Sequence, residues 1–123
     1  MSHRTITAAC LAVAFASATL APTPAAAQAR NAFDGTWSVR STTQSGTCAS
    51  RSFNISIEDG EISFGPFTAT GGVGARGRVN ASYAALGNSL NSQGRLTSSR
   101  GGGTWTSPTR NCSGRWSAQR AAA

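Results

Sequence analysis

Apolar and polar residues alternate along short stretches of this chain, with the period of two that is typical of a strand buried on one face. The first such stretch has four residues at alternate positions, which would place them on one face of a strand and is called one parity below: Phe33, Gly35, Trp37 and Val39. The run 53–57, Phe-Asn-Ile-Ser-Ile, alternates without an error. We expect the apolar parity of each stretch to point into a core and the polar parity to face water.

Turn signals divide these stretches into about eight predicted strands. Asp59-Gly60 favours a type I′ hairpin, because Asp-Gly stands between two apolar runs. Pro66 confines the end of the third strand to an edge or a turn, and the glycine-rich segment 70–74 predicts a bend. The predicted strands span residues 33–43, 53–57, 62–64, 75–81, 83–86, 90–97, 101–107 and 113–119, with a turn at Gly87-Asn88 and another around Pro108.

The predicted fold class is all-β. No window beyond the N-terminal segment has an apolar period of 3.6, so no helix longer than a turn is expected. Short strands with tight connections, in a domain of about 95 residues, favour a small antiparallel up-and-down meander that closes into a barrel or a sandwich. Closure would remove edges that otherwise promote aggregation.

Three Gly-x-Trp units recur in the predicted strands: Gly35-Thr36-Trp37, Gly103-Thr104-Trp105 and Gly114-Arg115-Trp116. A glycine two residues before a tryptophan lies on the same face of a strand, where the ring can cover the backbone that the glycine leaves bare. These six residues are therefore predicted to be structural core or the lining of a ligand site.

The N-terminal segment has the features of a secretory signal peptide. A short region with His3 and Arg4 precedes an uncharged apolar run, 8–20, and small residues follow. We predict a signal peptide over 1–27, cleavage near Ala27 to Ala29, and a single β domain over 30–123. A membrane anchor is the alternative, but the apolar run is shorter than the about 20 residues that a helix needs to span a bilayer. The predicted location is periplasmic or secreted, with no transmembrane segment in the mature chain.

Two cysteines, Cys48 and Cys112, remain after removal of this segment. An even number of cysteines in an oxidising compartment predicts a disulfide, and only one pairing is possible. Free thiols with a redox or metal role are the weaker alternative, because there is no Cys-x-x-Cys spacing.

Residues able to carry out catalysis are almost missing. The chain has no lysine, and its only histidine, His3, lies in the predicted signal peptide, so the usual general bases and metal ligands are absent. Glu58, Asp59 and Glu61 cluster at a predicted hairpin tip, where carboxylates are usually solvated. We predict a protein that is not an enzyme and that has no catalytic residue, no cofactor and no metal.

The chain is basic, with a formal net charge of +7 at pH 7. Four arginines on the polar parity form a candidate anion-binding face: Arg76, Arg78, Arg95 and Arg115. Such a face could meet an anionic surface or a protein partner. The alternative is that these side chains are solvated and keep the strand faces soluble. The segment Arg100-Gly101-Gly102-Gly103 resembles a nucleic-acid-binding motif, but a single copy predicts a loop, and no nucleic acid is expected as a partner.

The units Phe33-Asp34-Gly35-Thr36-Trp37, Gly103-Thr104-Trp105 and the segment 112–118 resemble small exported β-rich proteins of high-GC Gram-negative bacteria, a group with no activity to transfer. Gly35-x-Trp37 is also similar to the first strand of lipocalins and avidins, and of periplasmic β-barrel inhibitors of metalloproteases. This chain is shorter than a lipocalin, and its glycine-rich strands argue against a roomy ligand cavity.

The leading functional prediction is an exported, non-enzymatic β-barrel that binds an anionic or protein partner through its arginine face. The alternatives are a carrier with a small apolar ligand under Trp37, Trp105 and Trp116, and a protease inhibitor that uses its N-terminal segment. The sequence leaves open the partner or ligand, the oligomeric state and whether an internal cavity exists.

Overall fold

Nine antiparallel β-strands and no helix make up residues 32–121, the part of the chain that the computed structural model describes. In chain order the strands are β1 (Gly35–Ser45), β2 (Arg51–Glu58), β3 (Glu61–Phe64), β4 (Phe67–Thr68), β5 (Thr70–Val73), β6 (Arg78–Ala85), β7 (Asn88–Leu96), β8 (Arg100–Ser107) and β9 (Cys112–Arg120). Nothing among these residues is a helix that could span a membrane. The predicted signal peptide, 1–27, and its cleavage site lie outside the described residues.

The strands form a nearly closed barrel. Apart from β4 and β5, strands that are consecutive in the chain pair with each other, and β1 also pairs with β9. Only Ala69 separates β4 from β5, so the two strands form one run that pairs first with β3 and then with β6. The Ala69 N–H donates to the Ile62 carbonyl at 2.9 Å and the Val73 N–H to the Gly60 carbonyl at 2.8 Å, which joins this run to β3. The predicted up-and-down meander is confirmed, and it forms a nearly closed barrel.

The predicted type I′ hairpin is confirmed, because Asp59 has φ 50° and Gly60 has φ 79°. The predicted bend at 70–74 is wrong, since Thr70–Val73 is strand β5. A Cβ atom on Gly71 or Gly72 would lie 2.2 Å from a carbonyl oxygen of the neighbouring chain segment. Glycine is needed there because two segments approach closely, and a composition signal cannot distinguish this from a bend.

The predicted strands at 75–81 and 83–86 are one strand, β6. It begins at Arg78, so Arg76 lies in the preceding turn instead of on a strand. The turn after β6 is Leu86-Gly87, one residue earlier than predicted, because Ala85 pairs with Asn88. Both turn residues have positive φ, 54° and 77°, which is the backbone twist that a two-residue hairpin needs.

The barrel has two different ends, which follow from the up-and-down order of the strands. The disulfide end carries residues 46–50 with Cys48, the turns at 65–66 and 86–87, and residues 108–111. The Trp37 end carries residues 32–34, the turns at 59–60 and 74–77, and residues 97–99. The predicted Cys48–Cys112 disulfide is confirmed, with a Cα–Cα distance of 6.1 Å, and it ties residues 46–50 to the start of β9.

The Trp37 end is filled by side chains. Trp37 is completely buried, and its indole N–H donates to the Phe33 carbonyl at 2.9 Å. The guanidinium of Arg120, from the last strand, lies 4.7 Å from the centroid of the Trp37 ring. The buried core that surrounds them consists of Phe33, Val39, Ile57, Ile62, Ala69, Val73, Val79, Ala81, Leu96 and Ala118.

Candidate functional site

A cavity of about 730 Å³ occupies the interior of the barrel above this core. Its lining includes the exposed residues Thr47, Ala49 and Arg110, all at the disulfide end, so the cavity opens there. It does not reach Trp37. The glycine-rich strands were expected to argue against a roomy cavity, but a cavity of this size is present. Many of the glycines lie where two backbone segments approach each other closely.

Aliphatic and aromatic side chains form most of the cavity wall. They project inward because the period-two alternation of each strand brings one parity to the interior. The deeper part of the wall consists of Val39, Ile55, Ile57, Ile62, Val79 and Leu96. Nearer the opening, Phe64 and Phe67 face each other across β3 and β4, and the Phe64 ring makes an edge contact with the Phe53 ring at 5.1 Å.

Trp105 and Trp116 line the cavity, whereas Trp37 belongs to the core below it. The register pairs Trp105 with Gly114, and Gly103 with Trp116. The Trp105 N–H donates to the Arg115 carbonyl at 3.2 Å, and the Trp116 N–H lies 3.2 Å from two strand carbonyls, those of Gln93 and Thr104. In both residues the indole N–H is thus hydrogen-bonded to backbone carbonyls of the barrel wall, and the apolar part of the ring lines the interior.

Trp37 does not cover the glycine of its own Gly-x-Trp unit, Gly35. A Cβ atom on Gly94, which lies on β7, would be 2.5 Å from Cζ2 of Trp116 on β9. The Cβ position of Gly35 has one neighbour within 4 Å, Nη1 of Arg120 at 3.1 Å. At Trp116 the ring covers the bare backbone of a glycine on another strand, Gly94, whereas the Cβ position of Gly35 is next to an arginine.

Polar side chains are grouped toward the opening. Ser41, Ser52, Asn88, Ser89, Ser107 and Tyr83 contribute to the lining there. Burial raises the pKa of the Tyr83 phenol above its ordinary value, because the charged phenolate would lose hydration. A phenol is neutral at physiological pH even without this shift, so the Tyr83 hydroxyl can act as a hydrogen-bond donor.

Two arginines, Arg51 and Arg110, also line the cavity. Neither arginine was among the site residues predicted from the sequence. Arg51 shares its parity with Phe53, Ile55 and Ile57, so the alternation in β2 already indicated an inward direction. For Arg110, which lies in a turn, no periodic signal exists.

The predicted anion-binding face is only partly assembled. Arg78 and Arg95 lie directly opposite each other on β6 and β7, and both are exposed. Arg76 lies in the turn just before β6. Arg115 lies on β9 opposite Thr104, with β8 between it and Arg95, so it does not pair with the others.

The fold and the cavity define a small antiparallel up-and-down β-barrel with a largely apolar, one-ended interior. Comparison with protein-family models, with curated proteins and with solved structures finds no match to this chain. The residues within 32–121 include no cluster of three or more His, Cys, Asp or Glu that could hold a metal ion.

Proposed function

We propose that this protein is a non-enzymatic carrier that binds one small, largely apolar molecule inside the barrel. The observation that carries the proposal is the cavity of about 730 Å³. Pockets that hold small molecules measure roughly 300–1,000 Å³ and combine an apolar wall with a few polar groups. Moving a methylene group from water into such a wall gains about 0.8 kcal/mol, so an alkyl chain or ring system would bind by burial alone.

The residues that line the cavity also support binding without catalysis. Within the described residues the lining contains no carboxylate, histidine or lysine. All four acidic residues of the chain, Asp34, Glu58, Asp59 and Glu61, belong to the Trp37 end or to strand ends beside it. The likeness of Gly35-x-Trp37 to the first strand of lipocalins and avidins agrees with a carrier.

A second candidate, binding of an anionic or protein partner through an arginine face, is favoured by one observation. Two like charges directly opposite on neighbouring strands repel each other, and an anion bound to Arg78 and Arg95 would relieve that repulsion. The face is smaller than predicted, since Arg76 and Arg115 are not part of this pair. The third alternative, a protease inhibitor that uses the N-terminal segment, stays a prediction.

A native mass spectrum of the protein purified from its own exported fraction tests the carrier function, with a denatured spectrum as the reference. A discrete added mass that denaturation removes supports the proposal and supplies the ligand for identification. Protein that carries no added mass can be titrated with N-phenyl-1-naphthylamine, a neutral apolar fluorophore. No binding of this probe, together with a bare native mass, contradicts the proposal.

A further inference from the structure

Two arginines on the strands share the inward parity, and they lie at opposite ends of the barrel. Arg120, at the Trp37 end, is fully engaged: its guanidinium donates to the carbonyls of Ser98, Asp34 and Ala32. Arg51, at the disulfide end, lines the cavity, and its guanidinium makes no hydrogen bond to any of residues 32–121. Arg51 is exposed to solvent at the mouth of the cavity, so its charge stays hydrated and remains accessible to a ligand that enters the apolar interior.

The disulfide brings a second cation to the same opening. Arg51 follows Cys48 by three residues, and Arg110 precedes Cys112 by two. The Cys48–Cys112 bond therefore holds together the two segments that carry these arginines. Both side chains line the one cavity, so a group held at its mouth can meet both.

No acidic residue competes for these cations at the disulfide end of the described structure. The hairpin tip at Asp59-Gly60, with Glu58 and Glu61 on either side, lies at the opposite end of the barrel, and Asp34 lies there as well. The mouth thus has positive charge and an apolar wall below it. This combination complements a molecule with a negatively charged head and an apolar tail.

We propose that the ligand is a single-chain amphiphile with an anionic head, a carboxylate or a phosphate. The tail lies in the cavity between Trp105, Trp116 and the aliphatic wall, and the head lies at the mouth between Arg51 and Arg110. This inference rests on the carrier function, and it adds the sign and the position of the ligand's charge.

Calorimetric titration of the delipidated exported protein with four ligands that share one dodecyl chain tests the inference. The ligands are dodecanoate, dodecyl phosphate, dodecanol and dodecyltrimethylammonium, each below its micelle concentration. We expect the two anions to bind about tenfold more tightly than the alcohol at low salt, since hydrogen bonds from arginine to a charged head group favour the anions, although an exposed mouth weakens them. We expect the cation to bind more weakly than the alcohol. The tighter of the two anions identifies the head group.

The titrations distinguish failure of the anionic head group from failure of the carrier function. Equal affinity for all four ligands overturns the anionic head and leaves the carrier function standing. No binding of any of the four overturns both. Raising the salt concentration should weaken the anions toward the affinity of the alcohol, whose own affinity should not fall.

Substitutions locate the head group. The double variant Arg51→Gln with Arg110→Gln should bind dodecanoate about as weakly as dodecanol, with dodecanol affinity unchanged. The matched control, Arg40→Gln with Arg100→Gln, removes the same charge from two exposed positions that do not line the cavity, and it should leave both affinities within about twofold of the original values. An equal loss in the control shows general charge attraction and overturns the site at the mouth. Thermal unfolding of each variant confirms that it is folded.

Discussion

Arg120 stacks on Trp37 across the seam where the last strand meets the first, with its guanidinium 4.7 Å from the ring centroid. The two residues are direct partners in the β1–β9 register. Arg120 also donates hydrogen bonds to the backbone at residues 32, 34 and 98. One side chain thus ties the start of the barrel, its final strand and the β7–β8 turn to a single buried ring.

Replacing Arg120 by glutamine should therefore destabilise the barrel. We expect a loss of about 2–4 kcal/mol, because three hydrogen bonds from a charged donor and a cation–π contact disappear from a partly buried position. The midpoint of urea unfolding measures the change. Arg115→Gln, on the same strand but exposed, is the control and should change stability by less than about 0.5 kcal/mol. Equal midpoints for the two variants would falsify this role of Arg120.

Gly94 is expected to be intolerant of any side chain. A Cβ atom there would lie 2.3 Å from the Gly102 carbonyl oxygen and 2.5 Å from the Trp116 ring, so Gly94→Ala must displace a strand or the indole. Overpacking of this kind costs about 1–3 kcal/mol. It should also shift the tryptophan emission of the protein, to which Trp116 contributes, and weaken ligand binding.

Gly74→Ala is the matched control for Gly94→Ala. The Cβ position of Gly74 lies 3.7 Å from its nearest neighbour, and Gly74 is not among the residues with positive φ. The substitution should be neutral or stabilising by up to about 1 kcal/mol, through the unfolded chain. A Gly94→Ala protein as stable as Gly74→Ala would show that the strands around Trp116 move apart freely.

Filling the cavity should abolish binding without unfolding the barrel. Ala81 on β6 lines the cavity, whereas Ala84 on the same strand is exposed. Ala81→Phe should reduce the affinity for N-phenyl-1-naphthylamine at least about tenfold, by occupying the space that the probe needs. Ala84→Phe adds the same ring on the outside and should leave the affinity unchanged. If Ala84→Phe lost affinity and Ala81→Phe did not, the probe would bind outside the barrel.

Tyr83 reports the state of the cavity through its ionisation. It is the only tyrosine of the chain, so absorbance near 295 nm follows it alone during an alkaline titration. Because burial raises its pKa, the midpoint in the folded protein should exceed the value of about 10 found in unfolded chains. A bound apolar ligand should raise it further by excluding water.

The raised pKa of Tyr83 also determines how the free energy of unfolding changes with pH. The unfolded chain loses the phenol proton first as pH rises, so this group leaves the free energy of unfolding unchanged below about pH 10 and lowers it as pH rises through the folded pKa. Tyr83→Phe should remove that part of the alkaline dependence. A Tyr83 midpoint equal to that of urea-unfolded protein contradicts the burial of the phenol.

The disulfide should matter for stability and for the site. Its partners are 64 residues apart, and closure of a loop of that length stabilises by about 4 kcal/mol in the chain-entropy model. The variant Cys48→Ser with Cys112→Ser should lose about that amount in urea. It should also lose more affinity for dodecanoate than for dodecanol, because the segments with Arg51 and Arg110 are no longer joined. Equal losses for both ligands would show that the bond supports the fold alone.

The sequence was sufficient for features that depend on neighbouring residues. The strand around Phe53 and the Asp59-Gly60 hairpin follow from alternation and turn chemistry, and the disulfide follows from the count of cysteines. Segment 70–74 was mistaken for a bend, because glycine marks close backbone approach and flexible bends alike.

The cavity was not predictable, because its volume depends on how inward side chains from all strands fill one space. Arg51 was an exception that could have been found. Its position in β2 places it on the same face as Ile55, but the predicted strand began at Phe53 and left Arg51 outside it. Extending the alternation by two residues places Arg51 on the inward face.

The pairing of Trp37 with Arg120 also determines when the protein can finish folding. The contact spans nearly the whole described chain, and contacts so distant in sequence form slowly. Until the segment that ends at Arg120 has been synthesised, β1 and β8 are strands with an unpaired edge. Such edges promote aggregation, so the unfinished chain is more exposed to misassembly than the completed barrel.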